Sequence, residues 1–334
     1  MRQRIAIALS GGVDSAIAAY LLRKQGYEVL ALTMLLYNEN IDATTIAAQK
    51  LELEHHIIDL RLEFSDLVIK YFLNEYKNGR TPNPCCVCNR YIKFGLLQQH
   101  AQKLGASKLA TGHYARLIEK DGFFNLWRGC DTKKDQSYFL GSLTQEMLSY
   151  SLFPLGGLNK PEVKKLAFEL DMTPVQKESQ DICFIKDDYR DFIKDKIVMQ
   201  SGLVLDEQGQ KLGTHQGLPL YTVGQRHGLN IASSKRLYVK NLNAADNTIT
   251  LAPFSSLLNH TVKAKNVSWL KGQKPSNLNV TVQIRYQAKA QEAKLLFNED
   301  GTVTAVFVNP VCAATAGQYM VFYDGDEVLG SAII

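Results

Sequence analysis

Apolar residues follow two rhythms along this chain, and the change of rhythm divides it. In the first part, unbroken apolar runs alternate with helix-spaced ones. Ile5 to Leu9 has no polar interruption, as a strand buried on both faces of a parallel sheet requires. After Ser10-Gly11-Gly12, the residues Ile17, Ala18, Leu21 and Leu22 recur at helical spacing. The same reading gives strands at Val29 to Leu35, Ile57 to Leu60 and Lys108 to Thr111, and helices at Thr44 to Leu53, Leu67 to Tyr76 and Tyr91 to Leu104. Strand and helix in alternation predict right-handed crossovers and an α/β domain built on a doubly wound parallel sheet.

Beyond Phe192 hairpin signals take over. Leu237 to Val239 and Thr248 to Leu251 flank a polar turn at Ala244 to Asn247, and Val280, Val282, Ile284 and Tyr286 alternate strictly. Asn298-Glu299-Asp300-Gly301 and Asp324-Gly325-Asp326 each separate two strand-like runs. The pattern predicts an α/β domain over 1–192, a small β-rich linking domain over 193–259 and a C-terminal β-barrel over 260–334.

Composition agrees. A length of 334 residues suits two or three domains, and 46% hydrophobic with 21% charged residues excludes a disordered or collagenous chain. No apolar run approaches a membrane span, and Ile5 to Leu9 is too short for the core of an export signal. A soluble, cytoplasmic protein is the expectation. Of six cysteines, Cys85, Cys86 and Cys88 crowd together, which suggests thiol or metal chemistry in a reducing compartment.

The net charge of +5 matters less than its distribution. Between Glu75 and Glu119 lie 43 residues without an acid, carrying Lys77, Arg80, Arg90, Lys93, Lys103, Lys108 and Arg116. A polyanion, nucleic acid above all, is the partner this segment predicts; a solvated basic face is the plainer alternative.

Chemistry concentrates in three places. Ser10-Gly11-Gly12-Val13-Asp14-Ser15 joins the first strand to the first helix. Two glycines let the backbone approach an anion, and the free amides and dipole of the helix start, helped by two hydroxyls, hold phosphate. It is not a Walker A loop, which needs a Gly-Lys-Ser/Thr ending. Second, Thr81-Pro82-Asn83-Pro84-Cys85-Cys86-Val87-Cys88-Asn89 reads as a proline-stiffened loop between helices. Thiols held there among Arg80, Arg90 and Lys93 are expected to favour the thiolate. Third, Glu178-Ser179-Gln180-Asp181-Ile182-Cys183-Phe184 sets one more cysteine among polar neighbours.

The hexapeptide resembles the pyrophosphate-binding loop of the ATP pyrophosphatase superfamily, whose members split ATP between the α and β phosphates. Taken with Thr81 to Pro84, Cys88-Asn89, Thr111-Gly112-His113-Tyr114-Ala115-Arg116, Lys134-Asp135-Gln136-Ser137-Tyr138, Ser179 to Phe184, and Gly213 through Leu229, it resembles the tRNA-uridine 2-sulfurtransferases nearly end to end. These make 2-thiouridine at the wobble position of tRNA. The resemblance implies that Ala8, Leu9, Ser10, Gly11, Gly12, Val13, Asp14 and Ser15 bind ATP, with magnesium, and that Met34 and Gly112 border the nucleotide. It implies that Asn83, Pro84 and Cys85 meet the target base, and that Lys134, Asp135, Gln136, Arg285 and Tyr286 contact tRNA.

By the same resemblance Cys183 carries sulfur as a persulfide and Cys88 is the nucleophile, a Cys88–Cys183 disulfide being left behind. A cysteine desulfurase or sulfur-relay protein would load Cys183. The acceptor tRNAs would be those for Lys, Glu and Gln, and the enzyme a monomer. One departure stands out: some relatives carry aspartate where this chain has Cys85, which unsettles an acid–base role there. It also leaves Cys85, Cys88 and Cys183 as a less favoured three-thiolate set for an iron–sulfur cluster; a zinc site completed by His113 is less favoured still. Cys86, Cys130 and Cys312 are expected to be non-catalytic, and His215 and His227 structural. A glutamine-dependent synthetase and an RNA-binding module without catalysis are the competing readings.

Overall fold

The computed structural model describes residues 2–37, 41–172, 182–185 and 187–334. The chain begins with β1 (Arg4–Ala8), α1 (Val13–Lys24), β2 (Glu28–Leu35), α2 (Asp42–Lys50) and β3 (Glu54–Asp59). Later come β4 (Lys108–Ala110), the hairpin β5 (Ala115–Lys120) and β6 (Phe123–Arg128), and the short β7 (Ser151–Leu152). Five of these form a parallel sheet in the order β3-β2-β1-β4-β7. The unbroken apolar runs are explained by covering on both faces: Ile5 and Ile7 pack with α1 residues such as Ile17 and Ala18. Ala6 between them faces Phe94 and Leu97.

The second half holds β8 (Gly202–Leu205), β9 (Lys211–His215), β10 (Tyr238–Asn243) and β11 (Thr248–Ala252), a sheet in the order β10-β11-β8-β9. Then come β12 (Leu258–Trp269), β13 (Asn279–Gln283), β14 (Gln291–Phe297), β15 (Val303–Cys312), β16 (Tyr319–Asp324) and β17 (Glu327–Ile333). They run β12-β15-β14-β13-β16-β17, and β12 pairs with β17 to close a six-stranded barrel. Closure removes the exposed edges an open sheet would present.

Three features depart from the expected layout. The hairpin β5–β6, though it lies early in the chain, joins the barrel sheet through β6 and β17, Trp127 opposite Glu327. The strand expected to reach Tyr286 stops at Gln283, whose side-chain amide donates to the Tyr286 carbonyl at 2.7 Å and turns the chain. The loop expected to run to Asn89 ends at Asn83, and Pro84–Val87 is already helical. Asn83 caps that helix by accepting from the Cys86 amide at 3.3 Å, and Pro84 occupies its first turn. Asparagine at the cap and proline just inside are helix-start signals as much as loop signals.

Candidate active site

The turn after β1 has the form an anion site needs. Gly11 sits at φ +75°, and a Cβ there would come within 2.9 Å of the Ala43 side chain, so a residue without one lets α2 close over the turn. Gly12 starts α1 with no side-chain cap, which leaves first-turn amides directed outward. The two hydroxyls tie the turn together: Ser15 Oγ accepts from the Ser10 amide at 3.1 Å, meets Ser10 Oγ at 3.1 Å and donates to the Gly12 carbonyl at 3.0 Å. Leu9 is pinned from both sides, its amide to Leu32 and its carbonyl by Thr33 Oγ1. Gly112 abuts the loop from β4, where a Cβ would lie 3.0 Å from the Ser15 nitrogen. Met34, at the end of β2, packs against both the Leu30–Phe94 core and the cluster that holds Cys88.

Asp14 faces inward. Lys160 Nζ donates to both its carboxylate oxygens at 2.8 Å, and Tyr114 OH donates to Oδ1 at 2.8 Å. Neither partner was given a role from sequence. The usable signal was Asn159 followed by Glu162, which forms a complete capping box and fixes Lys160 in the first helical turn.

The thiols separate by depth. Cys86 is buried against Phe94, Tyr138 and Tyr319, and burial pushes its thiol well up, with Cys85 adding to the effect. Cys88 is 6% exposed, Cys85 is half-buried and Cys183 is exposed. The expectation of a loop presenting every thiol is therefore corrected: the capped helix turns Cys86 and Cys88 inward. The segment around Cys183 docks where Cys88 lies. Phe184 is buried in the same cluster as Cys88, its ring edge-on to Phe72 at 5.4 Å and Phe64 at 5.6 Å. Residues 178–181 of that motif lie outside the described residues. Among the described residues, which include Cys85, Cys88, Cys183 and His113, no three histidine, cysteine or acidic side chains are arranged to hold a metal.

Asn83, Pro84 and Cys85 sit at a junction of domains. The barrel grips the preceding turn: the Gln318 side-chain amide donates to the carbonyls of Thr81 at 2.9 Å and Pro82 at 3.2 Å, and the Thr81 amide donates to Ala316. Tyr286 packs against Phe139 with ring centroids 4.3 Å apart and the ring planes inclined at 39°. Burial, then the nearby Asp135 carboxylate and Cys85 thiol, push its phenol up. Arg285 points into the protein, donating to the Val223 carbonyl at 2.8 Å and to Thr315 Oγ1.

The Lys134–Gln136 segment is divided. Lys134 is exposed. Asp135 accepts from Arg128 Nη1, the amides of Gly129 and Ser137, and Ser137 Oγ. Gln136 clasps Tyr114, accepting from its amide at 3.1 Å and donating to its carbonyl at 2.9 Å. The acid-free run is likewise less of a surface than its charge suggested. Arg80 pairs with Glu75, Arg90 donates to the Ser142 carbonyl, Lys108 to Ser149, and Arg116 to Arg128 and Asp326. No helix among the described residues is long and apolar enough to cross a membrane.

Residues 3–187 match the family described as tRNA methyl transferase HUP domain, and 190–253 match that described as tRNA methyl transferase PRC-barrel domain. Residues 259–334 match that described as Aminomethyltransferase beta-barrel domain. The fold and its glycine turn thus define a HUP-domain protein with two appended β domains. The chain is 43% identical, over 99% of both chains, to a tRNA-specific 2-thiouridylase MnmA of Syntrophomonas wolfei. It is 41% identical, over 99% of this chain and 96% of the relative, to one of Dehalococcoides mccartyi. It belongs to the tRNA-specific 2-thiouridylase family.

Proposed function

We propose that this protein uses ATP to replace the C2 oxygen of the wobble uridine of tRNA by sulfur, giving 2-thiouridine, AMP and pyrophosphate. The observation that carries the reading is the full-length relationship to tRNA-specific 2-thiouridylases. The acceptors are those for Lys, Glu and Gln, and a cysteine desulfurase or sulfur-relay protein supplies the sulfur.

The uridine C2 oxygen is a poor leaving group, so it first attacks the α-phosphorus of ATP, and pyrophosphate departs against the amides after Gly12. Asp14, the carboxylate of the loop, has both oxygens on Lys160 and so does not fit as a magnesium ligand. The terminal sulfur of a Cys183 persulfide then attacks C2 and AMP leaves. The Cys88 thiolate attacks Sγ of Cys183, breaks the S–S bond and frees the thiolated base. The electron balance closes with a Cys88–Cys183 disulfide, which an external thiol must reduce. Docking of Phe184 into the cluster holding Cys88 supports this partnership.

The test is anaerobic incubation with unmodified tRNA, ATP, a cysteine desulfurase and cysteine, followed by nucleoside mass spectrometry. Cys88→Ser and Cys183→Ser are expected to abolish 2-thiouridine, and Cys85→Ser to retain it. Formation of 2-thiouridine by Cys183→Ser would refute the persulfide assignment.

A further inference from the structure

A polar cluster gathers on Asp14 of the phosphate loop. Lys160 is 6% exposed and Tyr114 2%, and both side chains end on Asp14 in the first turn of α1. A carboxylate there would repel an incoming triphosphate; a buried ammonium 2.8 Å from each oxygen cancels that field. The same two residues are held from the other side by a single turn, 131–136. Asp131 accepts from the Lys160 amide at 2.9 Å, and Gln136 clasps the Tyr114 backbone. The turn has no slack: Asp135 knits it to Arg128, Gly129 and Ser137, and a Cβ on Gly129 would fall 2.7 Å from the Tyr114 carbonyl. Lys134, within the turn, is exposed.

We propose that Lys160, Tyr114 and the 131–136 turn are a positioning brace that sets the first turn of α1 through Asp14, so that RNA seated on the turn tightens the grip of the phosphate loop on ATP. The inference rests on the proposed function, since it takes the RNA to engage the turn. The two sites are then linked by a coupling free energy, and the linkage is reciprocal.

The experiment uses the full-length protein and measures binding of a non-hydrolysable ATP analogue with and without unmodified tRNA. In the wild type, RNA is expected to tighten nucleotide binding by at least about fivefold. Tyr114→Phe, which keeps the ring and the Gln136 clasp but loses the bond to Asp14, is expected to bring that ratio to within about twofold of one. Its RNA affinity without nucleotide stays as in the wild type. Lys160→Met should weaken nucleotide binding, Lys160→Arg should retain it, and adding Asp14→Asn to Lys160→Met should restore part of the loss because the unpaired charge is gone. A wild-type ratio in Tyr114→Phe, no coupling in the wild type, or a further loss in the double variant would each overturn the brace. Wild-type protein that binds no tRNA overturns the proposed function as well; protein that binds it without coupling overturns the brace alone.

Discussion

His113 follows the phosphate-loop neighbour Gly112, and its ring lies between Phe94 and Phe153 with Nδ1 2.7 Å from Thr111 Oγ1. Burial, and secondarily the positive charge of Lys93, hold its pKa well below the usual imidazole range. The neutral ring is therefore the native form. Below about pH 6.5 the unfolded chain takes up a proton that the folded one refuses, so this contribution to stability is present above that pH and is lost as the pH falls. Urea midpoints at pH 7.5 and 5.5 should show a loss in the wild type that exceeds the loss in His113→Gln, by up to about 1.4 kcal/mol per pH unit. An equal loss in both would show that this imidazole does not titrate with folding. In the sequence His113 drew notice as the completing ligand of a less favoured zinc site. Nothing in the run Thr111-Gly112-His113 records that two phenylalanines, from other parts of the chain, enclose it. Lys160 escaped notice for the same reason: a lysine in a capped helix start looks exposed until the fold sets Asp14 beside it.

The helix starting at Pro84 shows how a local signal can be read two ways. Pro82 and Pro84 punctuate the sequence as a loop would, yet the second proline lies inside the first turn and Asn83 caps it. One residue's shift of register between loop and helix decides whether thiols face solvent or core, and here Cys86 and Cys88 face the core. Asn83→Ala removes the acceptor for the Cys86 amide, at a cost of about 1 kcal/mol. That amide should then exchange hydrogen about fivefold faster if the helix start opens locally; unchanged exchange would mean that packing alone holds the turn. Elements whose periodicity lies within one segment were legible: β1, α1, β2 and the barrel turns at Asn298–Gly301 and Asp324–Asp326 stand where the apolar pattern put them. The attachment of β5–β6 to the barrel was not, because pairing between distant strands leaves no mark on either sequence.

The three domains converge on one short stretch of backbone. Thr81 donates to Ala316, Thr81 and Pro82 accept from Gln318, and Thr81 Oγ1 lies 3.4 Å from Thr222 Oγ1 in the central domain. Gly317 permits the approach, since a Cβ there would sit 2.9 Å from the Thr81 carbonyl. Gln318→Ala removes two of these bonds and should lower the denaturant stability of the junction by about 1–3 kcal/mol. Limited proteolysis near residue 81 should speed up accordingly, while nucleotide affinity stays unchanged because the phosphate loop lies on another element. An unaltered cleavage rate would assign the junction to packing instead. The attachment of β6 to β17 carries a consequence in time. Trp127 leaves the ribosome long before Glu327, so the hairpin must wait through most of synthesis with its outer edge unpaired. The nascent N-terminal domain is thus released with an open strand edge, and translation speed through the later domains sets how long that edge is available to the wrong partner.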